Sequence, residues 1–490
     1  MLNAILTAGL GLATSAFVAR WLGPTLQGEY SYLTWLIGTL GAVVGIGLPT
    51  TALRYVAESL GRGDRPTTMA IVRWILRVEL MVALLASAAL VLWVATSGAG
   101  DQSLYFMLAA GTLVPTTVSA ILSAAIQGAQ EYGVTTRINL TMTAVRLIAT
   151  IVVLLLGLKV VGLLLVSLVL TSASVIWLQH KLKVMLDAPE MRVLDRHLRR
   201  RMIRYAASVF LIVLSDMIVW QRSEVFFLER FSGAAQVGFY SLAFSMAQWI
   251  VRLPEAASWV LMPAMSELYG AADTIGLQRL YDSGIRYMLA VAAPACLCAA
   301  VAASRIVDLI YGAQYQPAAT TLTVLLLASC LVTISNPAAS LLHGTEKQTV
   351  LLKVAPFLAI LDMGLAIGLI PHSHQLGAAL ANSLTQGVGT IILSAYIVIG
   401  LKLRFPLVAV IRIYLSGAGA ALLVWLVLSA IPGLTGLAVA VPTGIAGYML
   451  FVAVAHVFKE RDRATFSTLG SRLPAALHRP YQTAISLIMH

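Results

Sequence analysis

The chain is built from long, uninterrupted apolar runs, and this feature limits its possible folds more than any motif does. The runs do not alternate apolar and polar residues, as the strands of a membrane β-barrel would. A helix of about 20 apolar residues crosses the hydrocarbon core of a bilayer. We predict 14 membrane-spanning helices, with approximate cores at 2–19, 33–53, 78–97, 104–127, 138–157, 160–179, 205–227, 237–262, 287–304, 318–342, 350–370, 377–399, 407–430 and 436–457.

Composition excludes a soluble globular protein. Of the 490 residues, 59% are hydrophobic and 11% are charged, with a mean hydropathy of +0.88. The three cysteines lie inside apolar runs without metal-ligand or disulfide spacing, which indicates buried, inert thiols. The basic residues behind the net charge of +12 are expected to interact with anionic lipid headgroups at the cytoplasmic face, so nucleic-acid binding is not implied.

The distribution of basic residues supports the predicted helix count. With the N-terminus inside, 25 of the 33 Lys and Arg lie in inner loops, at their edges or in the C-terminal tail. The outer loops carry four, Arg20, Lys159, Arg230 and Arg305. Positive charge favours the cytoplasmic side, and one missed helix would reverse every later loop. We therefore predict a multi-pass membrane protein with both termini in the cytoplasm.

A segment near residue 20 recurs 210 residues later. Arg20–Ser31 reads RWLGPTLQGEYS and Arg230–Ser241 reads RFSGAAQVGFYS. A second match pairs Ala124–Gly128 with Ser340–Gly344, and a Gly that opens a new apolar run follows each, at Gly162 and Gly377. A repeat of this length contains several helices, which is typical of two-lobed transporters. We expect its glycines to form tight structural connections rather than ligand sites.

The repeat also predicts the architecture. Six spans separate its copies, so helices 1 and 7 run in the same direction. We expect an all-α integral membrane protein with two parallel six-helix lobes around a central cavity, followed by helices 13 and 14. The expected divisions are an N-lobe at 1–179, a basic cytoplasmic linker at 180–204, a C-lobe at 205–400, helices 13 and 14 at 401–457 and a basic cytoplasmic tail at 458–490.

Five short segments carry a family resemblance. They are Arg20-Trp-Leu-Gly-Pro24 with Gly28 and Tyr30, VGFYSLAF at Val237–Phe244, PAMSEL at Pro263–Leu268, LIYGAQYQPAA at Leu309–Ala319 and LGAALANSLTQ at Leu376–Gln386. In their order they resemble the prokaryotic polysaccharide-transport flippases of the multidrug/oligosaccharidyl-lipid/polysaccharide exporter superfamily. The similarity extends over nearly the whole chain up to helix 12. Such proteins tend to have a short leader that is almost absent here, so the true start is expected upstream or helix 1 is slightly shortened.

The resemblance implies transport without covalent chemistry. The expected cargo is an undecaprenyl-pyrophosphate-linked oligosaccharide, which would move from the inner to the outer leaflet of the bacterial inner membrane by alternating access. Membrane lipids, a polysaccharide polymerase and a chain-length regulator are the expected partners. Neither nucleic acid nor a cofactor is expected, although coupling to protons or sodium ions is open.

Charged and polar side chains within the spans are the candidates for the site, because they are costly to keep in a membrane. Arginine suits a pyrophosphate, since its guanidinium stays charged and donates two parallel hydrogen bonds. The candidates for lining the substrate cavity are Arg146, Arg222, Arg252 and Gln248. The candidates for ion coupling or charge pairing are Asp216, Glu224, Glu255 and Asp362.

These candidates also have structural interpretations. Gln248, Arg252 and Glu255 share one helix face, and Arg252 with Glu255 can form an ion pair at i, i+3. Arg222 lies near an outer helix end, from which it can extend to lipid headgroups. Asp216 and Asp362 keep a functional interpretation, since either carboxylate can couple transport to a proton or a sodium ion.

Four other functions compete with this one, and two of them are excluded. A membrane polymerase or ligase would carry its chemistry on a sizeable outer loop, whereas every connecting segment longer than about 20 residues is predicted inside. The chain has no GxxxxGK[ST] motif for an ATP-driven pump, and its histidines form no metal-ligand cluster. A cation-coupled multidrug exporter and a lipid II flippase remain as alternatives within the superfamily. Several arginines with few acids in the spans favour an anionic cargo over cationic drugs.

Overall fold

The computed structural model describes residues 2–97, 100–186, 194–220, 222–345, 347, 349–458 and 462, and for 2–8, 97, 101, 211–220 and 253–260 it describes the backbone alone. The described backbone is predominantly α-helical and contains no β-strand. This confirms the prediction of an all-α protein. Helices suit an apolar environment because a helix satisfies its own backbone hydrogen bonds. The chain divides into two compact units, Met1–Gly238 and Phe239–His490.

The first unit places one central helix among several others. Its α-helices are α1 Leu2–Val44, α2 Leu48–Gly61, α3 Arg65–Ser97, α4 Ser103–Gly128, α5 Tyr132–Leu155, α6 Lys159–Leu186, α7 Arg196–Trp220 and α8 Glu224–Ser232. Helix α4 packs against α2, α3 and α6, while α5 packs against α1 and α6. The predicted linker at 180–204 begins within α6 and ends within α7, and residues 187–193 in its middle lie outside the described residues.

The second unit is centred on a helix of 38 residues. Its α-helices are α9 Ala234–Gly270, which begins in the first unit, α10 Thr274–Tyr311, α11 Pro317–Val332, α12 Ser335–Gly344, α13 Thr349–Gly400, α14 Leu407–Ala430 and α15 Gly433–Val454. Asp273 caps α10, since its side chain accepts a 2.8 Å hydrogen bond from the backbone nitrogen of Gly276. Helix α10 packs against α11 and α14, and α11 packs against α13. Apart from 458 and 462, the predicted tail lies outside the described residues.

The helices agree with a multi-pass membrane protein. Among the described residues, nine helices are long and apolar enough to cross a membrane, and the bent pair Gly9–Val44 and Leu48–Gly61 makes ten. Helix α13, with 52 residues, contains the predicted spans 350–370 and 377–399, and its backbone breaks between them at His374. The count of 14 therefore stays a prediction that this order of helices accommodates.

The predicted span 33–53 is interrupted rather than continuous. Helix α1 ends at Val44 and α2 begins at Leu48, with a bend of 50° between them. Gly47 has φ +69°, and a Cβ there would lie 2.7 Å from the carbonyl oxygen of Ala206. Only glycine tolerates both constraints. Hydrophobicity is continuous across this turn, and for that reason the sequence pattern predicted a single span at 33–53.

The internal repeat is visible in the backbone. Gly23 interrupts α1 with φ 75° and ψ 171°, and Gly233 follows α8 with φ 84° and ψ 172°. Five residues after each, Gly28 and Gly238 face one another, and a Cβ on Gly238 would lie 3.2 Å from the backbone nitrogen of Gly28. Within the first unit, Gly28 and Gly238 therefore allow their two backbone segments to come into contact, as expected of glycines in tight structural connections.

The second sequence match has the same structural role in both copies. Gly128 is the last residue of α4, and a Cβ there would lie 2.6 Å from the carbonyl oxygen of Leu53 on α2. Gly344 is the last residue of α12, and a Cβ there would lie 3.1 Å from the carbonyl oxygen of Met262 on α9. Each glycine lets the end of one helix approach the backbone of another.

Candidate functional site

Arg146 lies on a polar face of α5. Asn139, Thr143 and Thr150 share that face, because they are seven residues before, three before and four after Arg146. Thr150 is buried, Thr143 and Arg146 are half-buried and Asn139 is exposed, so the part of this face around Arg146 turns toward the protein. The opposite face exposes large apolar side chains, Val145, Ile148, Val152 and Leu155. Such a face suits lipid, and it places the guanidinium of Arg146 on the other side of the helix.

No acidic side chain neutralises Arg146 within the described part of the chain. It makes neither a hydrogen bond nor an ion pair with any described residue. A charged group inside a membrane-spanning helix normally faces a partner or a polar cavity. Its guanidinium is therefore available to an anion.

Arg252 lies on a corresponding polar face of α9. Ser241, Ser245 and Gln248 precede it by eleven, seven and four residues, which places all four on one side of the helix. The Ser245 hydroxyl donates a 2.7 Å hydrogen bond to the Ser241 carbonyl oxygen, so its proton is not available to a ligand. Arg252 itself is exposed, with its guanidinium carbon 4.9 Å from the centroid of the Trp249 ring. The side chain of Glu255, its predicted partner, lies outside the described residues.

Arg222 and Glu224 are placed differently from the prediction. The predicted span 205–227 is interrupted: α7 ends at Trp220, Arg222 has φ +60° in the following turn, and Glu224 begins α8. Glu224 is 1% exposed, and both residues interact with neighbouring groups. Arg222 is thus a turn residue rather than one inside a regular helix. The side chain of Asp216 lies outside the described residues.

Asp362 lies in a polar layer between the two halves of α13. These halves pack antiparallel, since a Cβ on Gly389 would lie 2.9 Å from Leu358. This register places Asp362, which is 1% exposed, level with the buried Thr385. Nearby, Gln386 Nε2 donates to Asn382 Oδ1 at 2.7 Å. An acid surrounded by amide and hydroxyl groups can bind a proton or a small cation.

The sequence analysis missed two acidic features of the first unit. Glu79 is completely buried in α3, but the predicted span began at 78 and placed it at a membrane boundary. The stretch Met69–Ile75, which is apolar except for Arg73, was the available signal that α3 starts earlier. Glu29 and Glu229 line one cavity of about 30 Å³, although they are 200 residues apart. No local pattern could have paired them.

The second unit contains an apolar groove. It has a volume of about 470 Å³ and lies between α10, α14 and α15. Pro294, Val424, Leu437 and Ile445 are among the side chains that line it. Its walls suit a hydrocarbon chain rather than a polar ligand.

The described residues offer no metal centre, since no group of three or more His, Cys, Asp or Glu side chains comes together among them. What they offer is two arginines on polar helix faces. These groups can bind an anion through charge-assisted hydrogen bonds, and they provide no nucleophile paired with a base.

Two family models match the chain. The model described as polysaccharide biosynthesis protein matches residues 1–269, which is more than half of the chain. The model of the lipid II flippase MurJ matches residues 250–452. A comparison with curated proteins gives no match.

Solved structures share the fold at low sequence identity. The lipid II flippase MurJ, in an inward closed conformation, gives a TM-score of 0.72 and 13% identity over 92% of this chain and 97% of that chain. An inward-facing multidrug resistance MATE family transporter of the MOP superfamily gives 0.65 and 13%, over 80% of this chain and 93% of that one. A MOP superfamily transporter from Pyrococcus furiosus gives 0.54 and 14%, over 81% and 92%. By its family model and by this fold, the chain belongs to the polysaccharide biosynthesis protein family and is built like the transporters of the MOP superfamily.

Proposed function

We propose that this protein is a flippase that moves a polyprenyl-pyrophosphate-linked oligosaccharide from the inner to the outer leaflet. The observation that carries the proposal is Arg146, a half-buried cation without an acidic partner among the described residues, on the helix face opposite the exposed apolar one. A pyrophosphate is the kind of ligand that such a group binds. Arg252, with Gln248 one turn before it, supplies a second cation for the same cargo.

The groove between α10, α14 and α15 supports a cargo with a long hydrocarbon tail. A polyprenyl chain can occupy this groove while the charged head binds at the arginines. The apolar groove then matches the hydrocarbon tail, and the arginines match the pyrophosphate. This assigns a role to α14 and α15, which correspond to the two predicted helices outside the repeat. A drug exporter would not need such an addition.

Transport proceeds by alternating access in this proposal. The head binds from the inner side, the protein changes conformation, and the head is released outside, while the protein makes and breaks no covalent bond. Asp362, in its polar layer on α13, is the candidate for coupling to a cation. The proposed location is the bacterial inner membrane with both termini in the cytoplasm, and a polymerase and a chain-length regulator are the proposed partners.

A lipid II flippase is the second candidate. The MurJ family model matches residues 250–452, and lipid II also joins a polyprenyl pyrophosphate to sugars. Both candidates therefore use the same arginines and the same groove. They differ in the glycan, which the polar faces of α5 and α9 do not specify.

The test is a deletion strain that is complemented with variants. We expect deletion to trap a lipid-linked saccharide on the cytoplasmic side, where a membrane-impermeant labelling reagent added outside cannot reach it. Arg146→Ala and Arg252→Ala should each lower export by about tenfold or more, because each removes charge-assisted hydrogen bonds. Arg137→Ala is the matched control, since Arg137 is exposed on the opposite side of the same helix, nine residues before Arg146.

The outcomes separate the candidates. Normal export by both arginine variants would show that they do not bind the anionic head. Accumulation of lipid II in the deletion strain would favour the second candidate. Hypersensitivity to cationic drugs without any trapped saccharide would identify a multidrug exporter instead.

A further inference from the structure

Glu79 is a membrane-embedded acid that the mechanism above does not use. It lies in α3, with 14 residues of that helix before it and 18 after it. Its side chain is 0% exposed, and neither carboxylate oxygen has a hydrogen-bond partner in the described part of the chain. An acid so placed needs either a cation or a proton.

The surroundings of Glu79 are almost entirely apolar. Ala83, one turn further along α3, packs with Val44 of α1 and Leu113 of α4. The hydroxyl of Thr117 on α4 faces the carboxylate, but it donates to the carbonyl oxygen of Val114 at 3.2 Å. Glu79 therefore lies among α1, α3 and α4, close to the turn at 45–47 where α1 gives way to α2.

No cation on α3 or α4 faces Glu79. Arg73 and Arg77 precede it by six and two residues, which places them on other sides of α3. On α4, the ionisable side chain is that of Tyr105, twelve residues from Thr117. These two helices therefore bring the carboxylate one hydroxyl group and no charge.

The other helices that pack against α3 direct their charges elsewhere. On α2, the guanidinium of Arg54 lies 4.4 Å from the Tyr205 ring, and Glu58 pairs with Arg62 and Arg201. On α1, the ionisable residue nearest to Val44 along the helix is Tyr32, twelve residues earlier.

The charges of α6 lie at its ends. Lys159 begins the helix, and His180, Lys181 and Lys183 follow in its last two turns, exposed to the surroundings. Within the described residues, nothing offsets a negative charge on Glu79. An ionised carboxylate there would be strongly unfavourable, whereas the neutral acid is compatible with the packing.

We propose that Glu79 is a proton-binding site of the first unit. It carries its proton when α1, α3 and α4 are packed as they are here, and loses it when water enters at the turn between α1 and α2. In that step the O–H bond of the carboxyl group breaks, the oxygen keeps the electron pair, and the proton passes to water. Resting on the proposed flippase function, we assign to this proton a role in driving export.

Infrared difference spectroscopy of the purified full chain in lipid vesicles tests the site directly. At neutral pH, Glu79→Gln should remove a carbonyl-stretching band of a protonated carboxyl group. Thr117→Val should shift that band, because the facing hydroxyl is lost. The matched control is Glu58→Gln, which should remove a carboxylate band, since Glu58 is part-exposed and paired with arginines. Loss of a carboxylate band in Glu79→Gln would overturn the proposal.

A transport assay tests the role of the proton separately. In the complemented deletion strain, export of surface polysaccharide is compared with the outer medium acidic or alkaline relative to the cytoplasm. Wild type should respond to the gradient, and Glu79→Gln, with an unchanged size-exclusion profile, should lose that response. A retained response in the variant, or none in wild type, would exclude proton coupling through Glu79. Absence of any lipid-linked saccharide export would overturn the flippase function, while the infrared result would still stand.

Discussion

The two units bury acidic side chains in different ways. In the first unit, Glu79 is completely buried and has no hydrogen bond to a described residue. In the second, Asp462 is 4% exposed, and it accepts hydrogen bonds from Arg286 at 2.8 Å and from the Tyr287 hydroxyl at 2.6 Å. A cation and a hydroxyl offset the cost of burying the charge of Asp462. The first unit therefore holds an acid whose charge can change without breaking a contact, and the second holds one whose charge is part of the structure.

Removing Asp462 should have the largest effect on stability. Asp462→Ala leaves Arg286, whose side chain is 9% exposed, without its counter-charge. We expect a loss of roughly 3–5 kcal/mol in the free energy of unfolding, measured by reversible unfolding in mixed micelles. The Tyr287 ring also stacks on that of Phe458, with 6.3 Å between the ring centroids, so the loss should expose the chain near Phe458 to added protease.

A double variant shows whether the charge or the packing is responsible. Arg286→Met with Asp462→Leu replaces both charges by apolar groups of similar size, and it should recover most of the lost stability. If the double variant is as unstable as Asp462→Ala, the ion pair is not what holds this segment, and the contrast with Glu79 disappears.

The contact between the two copies of the repeat gives the next largest effect. Gly28→Ala and Gly238→Ala each place a Cβ against the backbone of the other stretch. Overpacking of this kind costs about 1–3 kcal/mol, and neither backbone can move far without disturbing its helix. We expect similar losses from both variants, measured as in the Asp462 series.

The control for this pair is in the same helix as Gly28. Gly38→Ala meets no atom within 4 Å of the new Cβ, so it should leave stability unchanged or raise it slightly. Unequal losses for Gly28→Ala and Gly238→Ala would mean that the two copies do not share the contact equally.

Much of the fold could be predicted because it depends on local patterns. The spans at 407–430 and 436–457 agree with α14 and α15 within a few residues, since each has a proline near its start. The breaks at Gly47 and Arg222 could not be predicted in the same way. Hydrophobicity continues across the break at Gly47, whereas the break at Arg222 lies in the short polar stretch Gln221–Glu224, which the predicted span 205–227 included.

The candidate site could be predicted only in part. Arg146 and Asp362 stand out in sequence, because each is a charge inside an apolar run. Their partners depend on which helices come together. The same limit explains Glu79. That no described cation faces it is a property of α1, α2, α4 and α6 together rather than of α3. The cavity that Glu29 and Glu229 share could not be predicted for the same reason, because the two residues are 200 positions apart in the sequence.

The smallest expected effect concerns the salt bridges of the first unit. Glu58 pairs with Arg62 at 2.7 Å and with Arg201 at 2.9 Å, but these arginine side chains are 71% and 44% exposed. Water and salt screen such pairs, so Glu58→Ala should change the free energy of unfolding by less than about 1 kcal/mol. Arg201 also lies 5.4 Å from the Tyr55 ring, a contact between α7 and α2 that does not need Glu58. The measurement is the same unfolding curve at low and high salt, where any difference from wild type should shrink as salt is added. A loss as large as that of Asp462→Ala would mean that burial does not separate the two kinds of acid, and the assignment of a mobile proton to Glu79 would lose its physical basis.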